Sequence, residues 1–462
     1  MHACDGVMTT DQETTMNSRI GDHAVVLGAS MAGLLTARVL ARSFRRVTVF
    51  DRDAMPEIGV HRRGVPQDKH VHFLHPRGRQ ALDEFFPGLS ARLIKQGAVT
   101  GDALGNIRWQ LSGYQLRQAD ISLPGLLVSR PFLEGHVRAR VSELPNVTLA
   151  ERTDAIAVTA TTDRRRVTGA RVHDTASGGE QAVPADLVID ATGRGSRVPL
   201  WLSELGYDQA TVDRVDIGLG YATRLYRLRP GALGTDIAIL TAGTPQNPRG
   251  GGLGAIEGER HILTIFGILG DHPPTDPAGF DAFAASLLFP DIADAIRDAQ
   301  PLTDPVQFRF PASVRHRYER LRRFPNGLLV LGDAVCSFNP IYGQGMTAAA
   351  VQARTLQRLL ARGKMPTPRR YFQAIAQTIN TPWDIATGAD LAFPQVPGAR
   401  TAKIRMVNTY LPKLHAAATT DITLAQAFVR VIGMVDRPEG LLRPDRVLRV
   451  LRTHWPNALA RT

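Results

Sequence analysis

Residues Ala24-Val25-Val26-Leu27-Gly28-Ala29-Ser30-Met31-Ala32-Gly33 form an apolar run that breaks into a glycine turn, and Val47-Thr48-Val49-Phe50-Asp51-Arg52 follows at the distance of a βαβ crossover. This pairing predicts a parallel sheet whose first strand turns directly into a helix. Gly28 permits the tight turn, and Gly33 lets the helix pack closely on the sheet. The backbone N–H groups around Ser30, Met31 and Ala32 then face outward, where they suit a pyrophosphate. Ser30 stands where the usual fingerprint has its middle glycine, and a small residue there still allows close approach. Asp51 and Arg52 end the second strand, where a carboxylate accepts hydrogen bonds from an adenosine ribose.

Residues 24–41 are nearly uncharged and long enough to be mistaken for a membrane span. The glycine turn in their middle fits a strand-turn-helix instead, so no integral membrane contact is expected. A chain of 462 residues with 44% apolar residues has room for two or three structural units. The formal charge of +12 comes almost entirely from Arg, most densely over Arg315–Arg323. No nucleic-acid motif accompanies this surplus, which predicts a solvated basic face and no nucleic-acid partner. Two cysteines, Cys4 and Cys336, exclude a disulfide framework and point to a reducing, cytoplasmic setting. The polar tail before residue 20 carries acidic residues ahead of any Lys or Arg, so it reads as disordered and not as a secretory leader.

Strand-like runs at Val147-Thr148-Leu149, Arg166 to Val172 and Leu187-Val188-Ile189 alternate with helical periodicity at Leu34 to Arg42, Gly78 to Phe86 and Pro131 to Val141. The fold class is therefore α/β, a Rossmann-like domain with an inserted antiparallel β-sheet domain and a C-terminal helical region. Gly218 to Leu228, Asp236 to Thr241, Gly251 to Ile256 and His261 to Gly270 supply the inserted strands, followed by a helix from Phe280 to Ala299. Prolines 382, 394, 397, 412 and 438 are expected to divide the last hundred residues into short cap helices. The boundaries read as a tail at 1–19, a cofactor domain at 20–95, 126–205 and 312–365, a substrate domain at 96–125 and 206–311, and a cap at 366–462.

Further motifs point to one bound dinucleotide. A second apolar strand ends in Asp190-Ala191-Thr192-Gly193-Arg194-Gly195-Ser196, and a third in Gly332-Asp333-Ala334. Asp333 is placed for the ribityl or pyrophosphate region of FAD. Gly343-Gln344-Gly345-Met346 opens a helix whose N–H groups and positive dipole suit the electron-rich edge of reduced flavin. FAD would thus be held from both ends of the chain. Asn339, Pro340 and Tyr342, on the loop before that helix, and Tyr221 in the inserted sheet are the candidates for touching substrate. His70 and His72 alternate as metal ligands on a strand might, but no third ligand is evident and no metal is expected. Cys336 reads as a small buried residue.

In its three ordered motifs, over roughly residues 20–365, the chain resembles the FAD-dependent class A monooxygenases of the para-hydroxybenzoate hydroxylase fold. It departs from their consensus at Cys336 and Thr347, where His and Asn are usual. Arg62-Arg63-Gly64-Val65-Pro66-Gln67-Asp68-Lys69-His70-Val71-His72, Phe86-Pro87-Gly88-Leu89, Tyr221 to Arg227 and Phe338-Asn339-Pro340-Ile341-Tyr342-Gly343 look like the flavin epoxidases of polyether antibiotic biosynthesis, the lasalocid and monensin epoxidases. That resemblance implies epoxidation of alkenes in a linear polyketide through a flavin C4a-hydroperoxide, with O2 as co-substrate and NAD(P)H as reductant. It also implies that Arg63 and Arg130 lie near FAD. The flavin carries the chemistry, so no nucleophile or carboxylate pair is required.

Hydroxylation of an aromatic polyketide is the main alternative, and it lacks a candidate base. Halogenation is disfavoured because the Trp-x-Trp-x-Ile-Pro motif is absent. A flavin reductase or a redox-sensing flavoprotein shares the same frame. The Arg-rich face suggests that a polyketide could arrive on an acidic acyl carrier protein.

Overall fold

The computed structural model describes residues 19–454. Both the N-terminal tail and Cys4 lie outside them. Five parallel strands form the central sheet: β1 (Gly21–Leu27), β2 (Phe44–Phe50), β3 (Val147–Ala150), β4 (Leu187–Asp190) and β5 (Leu328–Val330). Their spatial order is β5-β4-β1-β2-β3. With β2 on one side and β4 on the other, β1 has no edge, and Ala24 through Leu27 are fully buried. This explains why the run is uninterruptedly apolar. A Val or Leu buried in this way contributes about 1.5–3 kcal/mol.

The order also places β1, β4 and β5 side by side, so the three strand-ending motifs share one edge of the sheet. Six helices matter for the site: α1 (Met31–Leu40), α2 (Arg130–Ser142), α3 (Gly345–Leu360), α4 (Pro368–Asp390), α5 (Ala402–Ala417) and α6 (Ile422–Ile432). α1 packs on α3 and α2, and α3 packs on α4.

A nine-stranded sheet forms the second layer, built on Val212–Arg227, Arg260–Gly267, Arg249–Ile256 and Ala238–Thr241. It is antiparallel except where Ala238–Thr241 runs parallel to Ile107–Leu111. Val306–His316 belongs to this sheet along its whole length and pairs in turn with Cys336–Ser337, so the sheet continues past residue 311. α5 and α6 bury Leu414, Leu424, Phe428 and Val431 in a cluster with Trp109, Leu127 and Ala238, which seats the helical cap on the far end of this sheet.

Three expectations need correction. The helix expected over Phe280–Ala299 is two, Pro277–Ala285 and Asp291–Ile296, because Pro290 cannot continue a helix and instead caps the second. Conversely, Pro382 and Pro412 do not break helices but lie inside α4 and α5. Each removes one backbone bond, and burial of neighbours such as Ile379, Trp383 and Leu414 offsets that loss. The Arg315–Arg323 stretch is not uniformly solvated. Arg315 is 1% exposed and binds Glu319 and Asn380, and Arg317 pairs with Asp213 and Glu319, leaving Arg320, Arg322 and Arg323 on the surface. Among the described residues, no helix is long and apolar enough to cross a membrane.

Candidate cofactor and substrate site

Glycine geometry brings the motifs together. Gly28 has φ +94°, and a Cβ there would lie 2.6 Å from the Ala191 carbonyl oxygen after β4. A Cβ on Gly33 would lie 1.8 Å from the Gly28 carbonyl oxygen, so α1 can leave β1 this closely only with glycine at that position. Gly332, at φ +71°, comes so near Ala32 that its Cβ would meet the Ala32 Cβ at 2.8 Å. The N-terminus of α1 therefore lies between the ends of β4 and β5, with the N–H groups of its first turn lacking intrahelical partners. Gly33 packs behind this turn, whereas Gly28, Ser30, Met31 and Ala32 line the cavity in front of it.

Beside the turn is a buried ionic network. Asp51 Oδ2 accepts from the Ala29 amide at 2.6 Å, Oδ1 accepts from the Asp53 amide at 2.9 Å, and Arg62 Nη1 sits 3.1 Å from Oδ2. The carboxylate expected to be free for a ribose thus also braces the glycine turn. Arg62 reaches Glu134 Oε1 on α2 at 2.8 Å, while Arg130 Nη2 reaches Oε2 at 3.0 Å. Ser30 completes the network: its hydroxyl donates to Glu134 Oε2 at 2.9 Å and accepts from Arg130 Nη2 at 2.8 Å. Burial alone would raise the Glu134 pKa, but Arg130 and Arg62 beside it hold it below the ordinary range. A glycine at position 30 would leave this bridge unmade. Arg130, Arg52 and Asp51 line the cavity; Arg63 is exposed and off its wall, and the arginine facing inward is Arg62.

At the other end of the cavity, Gly343 has φ +65° and turns the chain into α3. A Cβ on Gly345 would meet nothing within 4 Å, so the helix start opens onto free space. Gln344 is 1% exposed, lines the cavity and leaves both polar atoms of its side-chain amide without hydrogen bonds. Pro340, Tyr342, Met346 and Tyr221 are also on the wall. Asn339 is not: fully buried, it accepts from the Ile341 amide through Oδ1 and donates through Nδ2 to Asp390 Oδ1 at 2.7 Å. It shapes the loop and does not face a ligand. Burial raises the Asp390 pKa to about 7, although the bonds from Asn339 and Tyr342 favour its charge.

Asp333 lines the cavity beside Gly193. Burial raises its pKa, against the pull of Arg194 and Arg130. His70, His72 and His75 follow one another along the wall, and burial lowers them to about 3, 4 and 4, so all are neutral at physiological pH. His72 Nδ1 donates to the His70 carbonyl and His75 Nε2 to the Tyr342 carbonyl. Farther on, Trp109, Leu111, Leu240, Tyr410 and Phe428 line an apolar compartment under the cap, where His415 pairs with the Ser112 hydroxyl at 2.9 Å. Of the inward-facing groups, Arg62 adjoins the expected Arg63 in sequence, but Glu134 and His415 stand in no motif, and neither does Asp390 behind the wall.

The whole cavity measures about 1280 Å³. A site for one drug-sized ligand occupies roughly 300–1,000 Å³, so this one has room for a dinucleotide and a second molecule. Two free helix N-termini, an unsatisfied buried amide at Gln344 and glycine cradles fit a pyrophosphate at one end and a polar ring edge at the other.

The chain is similar to known proteins. The chain is 36% identical over 448 residues to Protein Rv3254 of Mycobacterium tuberculosis, covering 91% of this chain and 92% of the relative. It is 31% identical over 196 residues to kynurenine 3-monooxygenase of Salinispora tropica, covering 40% and 38%. The solved flavin-dependent brominase Bmp2 has a TM-score of 0.65 at 16% identity, over 94% of this chain and 99% of that one. A flavoprotein/dehydrogenase from Cytophaga hutchinsonii gives 0.66 at 14%, over 93% and 97%. These two structures establish a shared fold. Residues 23–363 match the FAD binding domain family. The chain belongs to that family, and FAD is its cofactor.

Proposed function

We propose that the protein is an FAD-dependent monooxygenase that epoxidises the alkenes of a linear polyene polyketide, with NAD(P)H as reductant. The observation that carries this reading is the continuity of the cavity: it runs from the α1 and α3 N-termini into the apolar compartment walled by Trp109, Leu240 and Phe428. A long, greasy substrate suits such a space.

In this reading the first turn of α1, from Gly28 to Ala32, binds the pyrophosphate, with Arg130 beside it. Asp51 and Arg52 take the adenosine end, Asp333 the ribityl side, and Gly343, Gly345 and Met346 the ring edge. Arg62, not Arg63, supplies the second arginine. The bound flavin supplies the activation of O2. The protein's own residues orient and shield. The N–H groups of α3 would favour negative charge at the ring edge, and the loop from Pro340 to Tyr342, fixed by Asp390, would help to position substrate beside it. The neutral histidines and apolar wall exclude water. No general base is needed for oxygen transfer to an alkene.

The stretch shared with kynurenine 3-monooxygenase favours hydroxylation of an aromatic substrate as the second reading. The test is to mix the chemically reduced, FAD-loaded protein with 18O2 and a linear polyene polyketide, and to weigh the product. Gain of one 18O per alkene, as an epoxide, supports the proposal. A hydroxylated arene from an aromatic polyketide, with no oxygenated polyene, replaces it with the second reading.

A further inference from the structure

One cation on the cavity wall makes no ion pair among the described residues. Arg194 lines the cavity on the turn after β4 and makes no hydrogen bond or ion pair among the described residues. Arg62, Arg130 and Arg197, which also line it, are paired with Asp51, Glu134 and Asp154. Arg52 is likewise unpaired, but it belongs to the Asp51 end. Arg194 instead reaches over to the second sheet. Its guanidinium carbon lies 5.3 Å from the Phe308 ring centre and 5.4 Å from that of Phe310, within cation–π range of both. No hydrogen bond among the described residues occupies its N–H fork.

A second unsatisfied nitrogen lies in the same cluster. His70 is 3% exposed, and its ring meets Tyr221 edge-on at 4.5 Å and Phe308 at 5.7 Å. A hydroxyl chain reaches its Nδ1. The Val71 amide donates to Thr264 Oγ1 at 2.9 Å, Thr264 and Thr223 hydroxyls are 2.5 Å apart, and Thr223 Oγ1 is 2.7 Å from His70 Nδ1. Both hydroxyl protons are used only if Thr264 donates to Thr223 and Thr223 donates to Nδ1. In that arrangement the ring proton is on Nε2, which makes no hydrogen bond. Asp333 is the acidic group whose charge Arg194 favours, yet no hydrogen bond joins them.

A planar fork free of hydrogen bonds, with the His70 ring against the same Phe308, matches a planar anion with two oxygens. We propose that Arg194, supported by His70, binds the carboxylate of a free-acid substrate. This inference rests on the substrate reading above and narrows it: the substrate enters as an acid, not as a thioester on a carrier.

The test is calorimetric titration of the FAD-loaded protein with dodecanoate, 1-dodecanol and S-dodecanoyl pantetheine. Dodecanoate is expected to bind at least tenfold tighter than the other two. In Arg194→Leu that preference disappears, while Arg194→Lys keeps part of it. Equal affinities in the unmodified protein, or an unchanged preference in Arg194→Leu, overturn the proposal. Tighter binding of the thioester reassigns the site to a carrier-bound chain. FAD content, measured on each variant, is expected to be unchanged; its loss in Arg194→Leu assigns the arginine to the cofactor and overturns the proposal. The titration requires no turnover, so a failed epoxidation leaves it interpretable, and a failed titration leaves epoxidation open.

Discussion

Tyr342 donates its hydroxyl to Asp390 Oδ1 at 2.9 Å, on the same carboxylate oxygen that Asn339 Nδ2 reaches at 2.7 Å. The other oxygen, Oδ2, is buried without a partner. A single acid on the last turn of α4 thereby ties down both ends of the loop that leads into α3.

Because burial raises the Asp390 pKa to about 7, the folded protein holds a proton there that the unfolded chain releases near the ordinary carboxylate value. The associated stability is complete below pH about 4 and is lost as pH rises through about 7, roughly 4 kcal/mol in all. Asp390→Asn keeps the acceptor and cannot ionise, so its melting temperature should exceed that of the unmodified protein at pH 8 and lose this component of pH dependence. Parallel melting curves for the two proteins from pH 5 to pH 8 would contradict the assignment.

Gly33→Ala places a methyl group 1.8 Å from a backbone oxygen, where no side-chain rotation relieves it. We expect a loss of at least about 3 kcal/mol in stability, together with FAD release, measured by denaturant unfolding and flavin absorbance. Retention of both would mean that α1 can stand off the sheet.

Arg62→Ala removes the cation shared by Asp51 and Glu134, which keep their backbone and Arg130 partners, and should cost about 1.5–3 kcal/mol. Arg63→Ala, at an exposed site, should stay within about 0.5 kcal/mol. Equilibrium unfolding of the pair distinguishes the two neighbours; equal costs would count against the inward position of Arg62.

Burial raises the Cys336 thiol well above its usual pKa, and the residue is fully buried. Its thiol should resist alkylation in the native protein and react only on unfolding, with peptide mass mapping as the readout. Rapid native labelling of Cys336 would show that the strand end opens.

The parallel sheet was legible because the buried part of β1, Ala24 to Leu27, has no exposed edge and no polar residue, while Gly28 and Gly33 report contacts with backbone that no other residue tolerates. The inserted strands were legible through alternation and turns. What the sequence concealed is long-range. Nothing near Glu134 says that Ser30 will reach it from about a hundred residues away, and nothing near His415 says that it will face Ser112. Nor does the sequence around Asn339 show where its side chain is held: its partner, Asp390, is supplied by another helix. Prolines 382 and 412 misled because tertiary burial outweighed one missing backbone bond each.

α4 begins just beyond the stretch that matches the family and, at about 1.5 Å per residue, spans about 35 Å. Near its start the Tyr371 hydroxyl grips the Val330 carbonyl at the end of β5, and its last residue is Asp390. Kinship and mechanical integrity therefore divide the chain at different places. Cutting after residue 363 would preserve every glycine turn of the cofactor motif and yet leave the loop before α3 without its anchor, so the recognisable domain is not an independent module.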